Sequence, residues 1–252
     1  MREKQLTSEF NIEKNLKGIK FLIGSGLAFS LMSVCVKAIG GRIPISELVF
    51  ARATISIIIT RFFLYKNKIN PWGYQKRLLI IRGLLGTVAL FCIFKALTIL
   101  PIATATVIQY IYPTFTVICA YFFLKEYIFK RILFSMILGW VGIILVSQPE
   151  WTTHSNILEI VIAIAIAILG ALMTSLAYIC VRKLSAKENP LVIIYYFPLV
   201  SIPLSMPFTI NDFVLPTGTD WIWIVGIGLF TQIGQLCITE GLRLIPAGQA
   251  TS

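Results

Sequence analysis

The chain has 252 residues, 57% of them hydrophobic and only 13% charged, with a formal net charge of +11. Soluble domains carry about 25% charged residues, so the composition excludes an ordinary soluble fold and points to a multi-pass membrane protein. The positive charge is not a nucleic-acid footprint, because Lys and Arg gather between apolar runs and not on a basic, aromatic-rich face.

A charged N-terminal lead occupies residues 1–17. Apolar runs then fall at 18–39, 45–65, 78–98, 102–124, 130–148, 157–181, 190–210 and 220–242, and a ninth begins near 247. Each of the eight is long enough to cross about 30 Å of hydrocarbon at about 1.5 Å per residue. Backbone groups in lipid must be satisfied within the segment, so helices are expected. No small-residue cleavage site follows the first run, which reads as a span and not as a removed leader. Pro101 suits a first helical turn, and the small residues Ala103 to Thr106 after it suit close helix packing. Pro113 in the fourth run, and Pro198 and Pro203 in the seventh, predict kinks. The five cysteines lie inside apolar runs without a CxxC pair and read as small buried residues. His154, the single histidine, reads as a solvated loop residue.

Charge fixes the expected orientation. The lead carries Arg2, Lys4, Lys14, Lys17 and Lys20, and the connection between spans 2 and 3 carries Arg61, Lys66, Lys68, Lys76, Arg77 and Arg82. Lys125, Lys130 and Arg131 follow span 4; Arg182, Lys183 and Lys187 follow span 6; Arg243 follows span 8. The opposite connections hold only Lys37 and Arg42, together with Glu150, Glu159, Asp212 and Asp220. The rule that basic loops stay inside puts the N-terminus in the cytoplasm. The expected location is a bacterial inner (plasma) membrane.

The stretch "KALTILPIATAT" at 95–106 has an echo, "EGLRLIPAGQAT", at 240–251. Pro101 and Pro246 are 145 residues apart, and the same ungapped offset pairs Cys35 with Cys180, Ser56 with Ser201, Gly83 with Gly228 and Cys92 with Cys237. Such self-similarity marks an internal repeat. The first unit, 18–149, holds five spans; an odd number places the second unit, 150–252, upside down in the membrane. The second unit stops short of its own last spans, which reads as a fragment or a truncated product. The expected fold is therefore all-α and polytopic: a ten-helix plan with five transmembrane helices per inverted half, about nine of them present. Secondary transporters share this arrangement, with sites near the midplane between repeats.

The stretches "ISELVFARATI" (45–55), "RGLLGTVALFCIFKALTILPIATATVIQYIYPTF" (82–115) and "AYFFLKE" (120–126) resemble the first repeat of EamA-domain proteins of the drug/metabolite transporter superfamily. The resemblance implies a basket of ten helices around a central cavity and export or exchange of small metabolites.

Ionisable groups inside a membrane are functional candidates. Arg52 lies eight residues, about 12 Å, beyond Pro44, too deep for easy snorkelling; it reads either as substrate-binding or as a structural ion pair or carbonyl cap. Lys95 near the end of span 3 reads as a snorkelling lysine or as cavity lining that attracts an anion beside Arg52. Glu240, the repeat counterpart of Lys95, is a proton-coupling candidate whose alternative is an i,i+3 pair with Arg243. Gln109, Tyr110 and Tyr112 on span 4, and Gln232 and Gln235 on span 8, offer polar tips for cavity lining.

The function expected is secondary active transport of a small metabolite by alternating access. Its partners are that small-molecule substrate, the lipid bilayer, and a coupling proton or counter-substrate. The oligomeric state is left open, and no cofactor is called for. A primary pump lacks support because GxxxxGK[ST] does not occur. A membrane enzyme would need clustered His, Asp or Cys at depth. The remaining alternative is a channel-like or non-transporting membrane protein, given the short second unit.

Overall fold

A computed structural model of the protein describes residues 2–39, 41–125, 133–134, 136–138, 140–141 and 157–247. The span expected at 130–148 falls mostly outside these residues, as do His154 and nearly all of the run starting near 247. The described chain is helical: α1 (Arg2–Ile39), α2 (Ile45–Lys66), α3 (Lys76–Ile99), α4 (Ile102–Gln109), α5 (Tyr112–Cys119), α6 (Ile157–Leu184), α7 (Pro190–Asn211) and α8 (Asp220–Leu244). A wide π turn, Ala120–Leu124, extends α5 and ends on Lys125 in the left-handed region at φ 55°. Seven helical segments are long and apolar enough to cross a membrane, among the described residues.

The helix limits follow local chemistry. Asn189 caps α7, its side-chain oxygen accepting from the Leu191 N–H at 2.9 Å, and Pro190 fills the first turn, where no donor is lost. Pro101 and Pro44 also stand just before helices, their carbonyls accepting the first helical N–H groups from Ala105 and Leu48. The Glu188 carboxylate accepts the backbone N–H groups of Tyr74 and Gln75 at 2.6 Å each, placing negative charge at the start of α3. Arg182 donates to the Leu242 and Arg243 carbonyls, the complementary arrangement at the C-terminal end of α8.

The expected span at 102–124 holds one of the membrane-length segments, Val107–Leu124, but a turn at Tyr110 and Ile111 divides the run into α4 and α5. Pro113 lies in the first turn of α5 and cannot supply the N–H that would continue α4, so the chain restarts there. Arg82 corrects a second expectation. It is not a loop charge but the seventh residue of α3, and it is only 3% exposed.

The chain divides into two compact units. One comprises Met1–Gly83 and Val181–Pro246. Within it α1 and α8 run antiparallel: Gly18 meets Ile245, Leu22 meets Gly241, Phe29 meets Gly234 and Cys35 meets Gly226. Glycines allow this approach; a Cβ on Gly241 would lie 2.6 Å from Leu22. The opposite face of α8, with Ile222, Val225, Leu229 and Ile233, is exposed and apolar, as a lipid-facing stripe requires. The start of α2 lies by the end of α7, where the Glu47 carboxylate accepts from the Val214 N–H at 3.1 Å.

The other unit comprises Leu84–Cys180 and Ala247–Ser252. Its core joins Ala96 and Leu100 of the α3 end, Ala105 of α4, and Ala163 and Ala167 of α6, a small-residue seam of the kind the Ala/Thr cluster predicted. Gly170 of α6 sits against Cys92 and Ala89 of α3.

Helix limits repeat along the chain. α7 has the bounds of α2 shifted by 145 residues at both ends, from Ile45 to Pro190 and from Lys66 to Asn211. α1 and α6 end at Ile39 and Leu184, α3 and α8 at Ile99 and Leu244, with the same shift. Gly73 and Gly218, both at positive φ (57° and 50°), share it too.

Candidate functional site

In the compact unit formed by Met1–Gly83 and Val181–Pro246, α2, α3, α7 and α8 bring polar side chains into an apolar interior. Arg52 projects from α2 and Arg82 from α3, and both guanidinium groups lean on the Phe197 ring of α7, with Cζ 5.1 and 4.8 Å from its centroid. All three residues are buried, Arg52 at 4% exposure and Phe197 at 5%. The Arg82 Nη2 donates to Gln235 Oε1 on α8 at 2.9 Å. Arg52 touches the Met32 sulfur at 4.0 Å, a weak acceptor, and its buried Nε has no hydrogen-bond partner among the described residues. No carboxylate among them lies within ion-pair distance of Arg52.

Glu47 does not pair with Arg52, five residues away on the same helix; its carboxylate accepts instead from the Val214 N–H. A quadrupole with a negative face partly offsets each cation, an arrangement worth about 2 kcal/mol when desolvated. It supplies no net counter-charge.

Gln232, less than one turn from Gln235, does something different. It accepts from Ser56 Oγ at 2.5 Å and donates to Thr60 Oγ1 at 2.8 Å, so both ends of its amide are engaged by α2. Ser56, Thr60 and Gln232 are all buried at 2% exposure or less. Glu240 stands 3.8 Å from Arg243 with about a third of its side chain exposed, the geometry of the i,i+3 pair.

Lys95, Gln109, Tyr110 and Tyr112 belong to the compact unit formed by Leu84–Cys180 and Ala247–Ser252. Lys95 is exposed on α3, and Gln109 ends α4 in partial exposure. Tyr110 and Tyr112 flank the break between α4 and α5, with ring centroids 6.4 Å apart, and Tyr112 meets Tyr178 of α6 edge-on at 5.7 Å. The sequence candidates therefore form two groups: Arg52, Gln232 and Gln235 with Glu240 in one unit, and the tyrosines with Gln109 and Lys95 in the other.

Sequence reasoning missed Arg82 and Phe197. Four apolar residues, Leu78 to Ile81, precede Arg82, and that was the available signal of depth. Phe197 carried one signal only, its place 145 residues after Arg52. Among the described residues no three His, Cys, Asp or Glu side chains gather as a metal would need.

Seven membrane-length helical segments among the described residues define a multi-pass integral membrane protein, with a buried cationic cluster inside one compact unit. The chain belongs to the EamA-like transporter family, whose model matches residues 16–148 and 161–252. It is 25% identical to the pseudopaline exporter of Pseudomonas aeruginosa, over 88% of this chain and 77% of that one. It is 28% identical to an S-adenosylmethionine uptake transporter of Rickettsia felis, covering 92% and 77% of the two chains. Solute carrier family 35 member G1 of the mouse is 27% identical, over 92% and 66%. A solved crystal structure shares the fold with a TM-score of 0.79 over 95% of this chain and 82% of that one, at 18% identity.

Proposed function

We propose that the protein is a secondary active carrier of a small metabolite, working by alternating access between two inverted five-helix repeats. One observation carries this reading. Gly83 of α3 packs on Val200 of α7, and Gly228 of α8 packs on Ile55 of α2. These are one contact seen twice: the 145-residue shift converts Gly83 to Gly228 and Ile55 to Val200. A two-fold relation between halves produces such exchanged pairs. Arg52 and Phe197 are themselves counterparts under the shift, and they touch, as residues near such an axis do.

Several features support the reading. By name, the matched relatives include an exporter, an uptake transporter and a solute carrier. Carriers with inverted repeats bind substrate near the bilayer midplane, often beside interrupted helices. Arg52 sits about 10 Å from the start of α2 and Arg82 about 9 Å from the start of α3, depths that suit a site well inside the membrane. The break at Tyr110 puts Gln109, Tyr110 and Tyr112 beside an interrupted helix, as further substrate-lining groups. The driving force is exchange with a counter-substrate or the proton gradient, and the N-terminus faces the cytoplasm of a bacterial inner membrane.

The test is counterflow in proteoliposomes, using labelled amino acids, nucleotides and organic acids. Saturable uptake driven by an internal pool of the same solute is expected for one class. Flux that rises linearly without counterflow would mean a channel, and no flux for any class would sink the carrier.

A further inference from the structure

Two arginines held deep in an apolar interior need an explanation beyond packing. Guanidinium stays protonated wherever it is placed, so Arg52 and Arg82 bring two positive charges to one aromatic ring. Buried charges are normally met by an opposite charge, and leaving one unmet is costly. For Arg52 no carboxylate is within reach among the described residues, and its Nε hydrogen bond is unmade. Like charges on one ring also repel each other. The cluster is thus poised for an anion.

We propose that Arg52 and Arg82, converging on Phe197, form an oxyanion-binding site, and that the transported class is small metabolites carrying a carboxylate or a phosphate. The inference rests on the carrier reading above for the word "transported", but the binding site itself does not.

The geometry fits that class. Each guanidinium is a planar fork able to grip two oxygens of one carboxylate or phosphate. Gln235 holds the Arg82 fork through Oε1, so its orientation is set before ligand arrives. Phe197 presents its ring to both cations while no anion is bound. With three of the cluster's residues 5% exposed or less, this conformation is closed to ligand. Entry therefore requires the Phe197 ring to withdraw, which couples binding to a change in α7. A cationic solute would meet repulsion from both arginines, which sets the selectivity.

The test measures binding without transport. The purified protein in detergent is melted in increasing glutarate, inorganic phosphate or chloride at matched ionic strength. A saturable rise in melting temperature is expected with glutarate, with phosphate, or with both, but not with chloride. Response to glutarate alone assigns the site to carboxylates, and response to phosphate alone assigns it to phosphates. R82Q should weaken the apparent affinity at least tenfold, and R82K less. Should R82Q fail to fold, Q235L tests the same site: it frees the Arg82 fork without removing a charge, and the apparent affinity should fall, an unchanged affinity in that variant overturning the proposal. Absence of a saturable response in the wild-type protein overturns the proposal, as does a variant response equal to wild type in a folded R82Q. Saturable oxyanion binding without counterflow would retain this site and discard the carrier. Counterflow of neutral or cationic solutes without oxyanion binding would do the reverse.

Discussion

Four arginines of the compact unit formed by Met1–Gly83 and Val181–Pro246 divide into two kinds of environment. Arg42 and Arg243 stand at helix ends with side chains 58% and 51% exposed, and each faces a carboxylate, Asp220 at 2.7 Å and Glu240 at 3.8 Å. Arg52 and Arg82 are inside, 4% and 3% exposed, and lean on Phe197. At the ends water already solvates the charge, so the partner adds little, about 0–1 kcal/mol. In the interior the carboxylate would matter most, yet for Arg52 an aromatic face stands in its place. A fold selected only for stability would favour the opposite distribution. Under the oxyanion proposal, Arg52 is where a cost is borne for a reason other than folding.

The sharpest way to break that contrast is to remove an interior arginine. Arg52→Ala should lower counterflow by about 100-fold or more, equivalent to about 3 kcal/mol, with membrane insertion and expression unchanged; wild-type flux in this variant would refute the assignment. Gly228→Leu comes next. Its Cβ would lie 2.6 Å from Ile55, at the α2–α8 seam, so unfolding in bicelles should show a loss of about 1–3 kcal/mol. Gln232→Leu removes bonds to Ser56 and Thr60 and should cost about 1 kcal/mol of the same stability, because polar bonds between membrane helices average well under 2 kcal/mol. Asp220→Asn removes the charge from a buried side chain but keeps an acceptor for the exposed Arg42, so it should shift melting within about 1 kcal/mol and leave flux untouched. If Asp220→Asn proved as damaging to flux as Arg52→Ala, the two environments would not differ in kind.

Much of this was legible in the sequence because membrane helices are written in long apolar runs. Expected spans at 45–65, 190–210 and 220–242 agree with α2, α7 and α8 to within two residues at each end. Arg52 stood out because charge inside such a run is rare. Arg82 did not, since a cation six residues into α3 resembles the Lys76 and Arg77 just before it. Only packing against Phe197 distinguishes a buried guanidinium from one that reaches the interface. Gln232 and Gln235 read alike in sequence and part company only through their neighbours. Ser56 and Thr60 lie one turn apart on α2 and clasp the first, while the second turns toward Arg82. The restart at Tyr112 was half legible: Pro113 signalled an interruption, but a kink and a full break carry the same signal.

One feature of α7 bears on how the unit can move. Pro198, Pro203 and Pro207 all lie inside this continuous helix, and a proline nitrogen offers no hydrogen to the turn before it. Three rungs of the internal ladder are therefore missing along one rod, while Ser205 and Thr209 bond carbonyls at Ser201 and Ser205. Flexing such a rod breaks fewer bonds than flexing α2, which has no proline within its 22 residues. The first of the three gaps opens immediately after Phe197. Elastic compliance is thus concentrated beside the ring that both cations touch, so a slight bend of α7 translates directly into displacement of that ring.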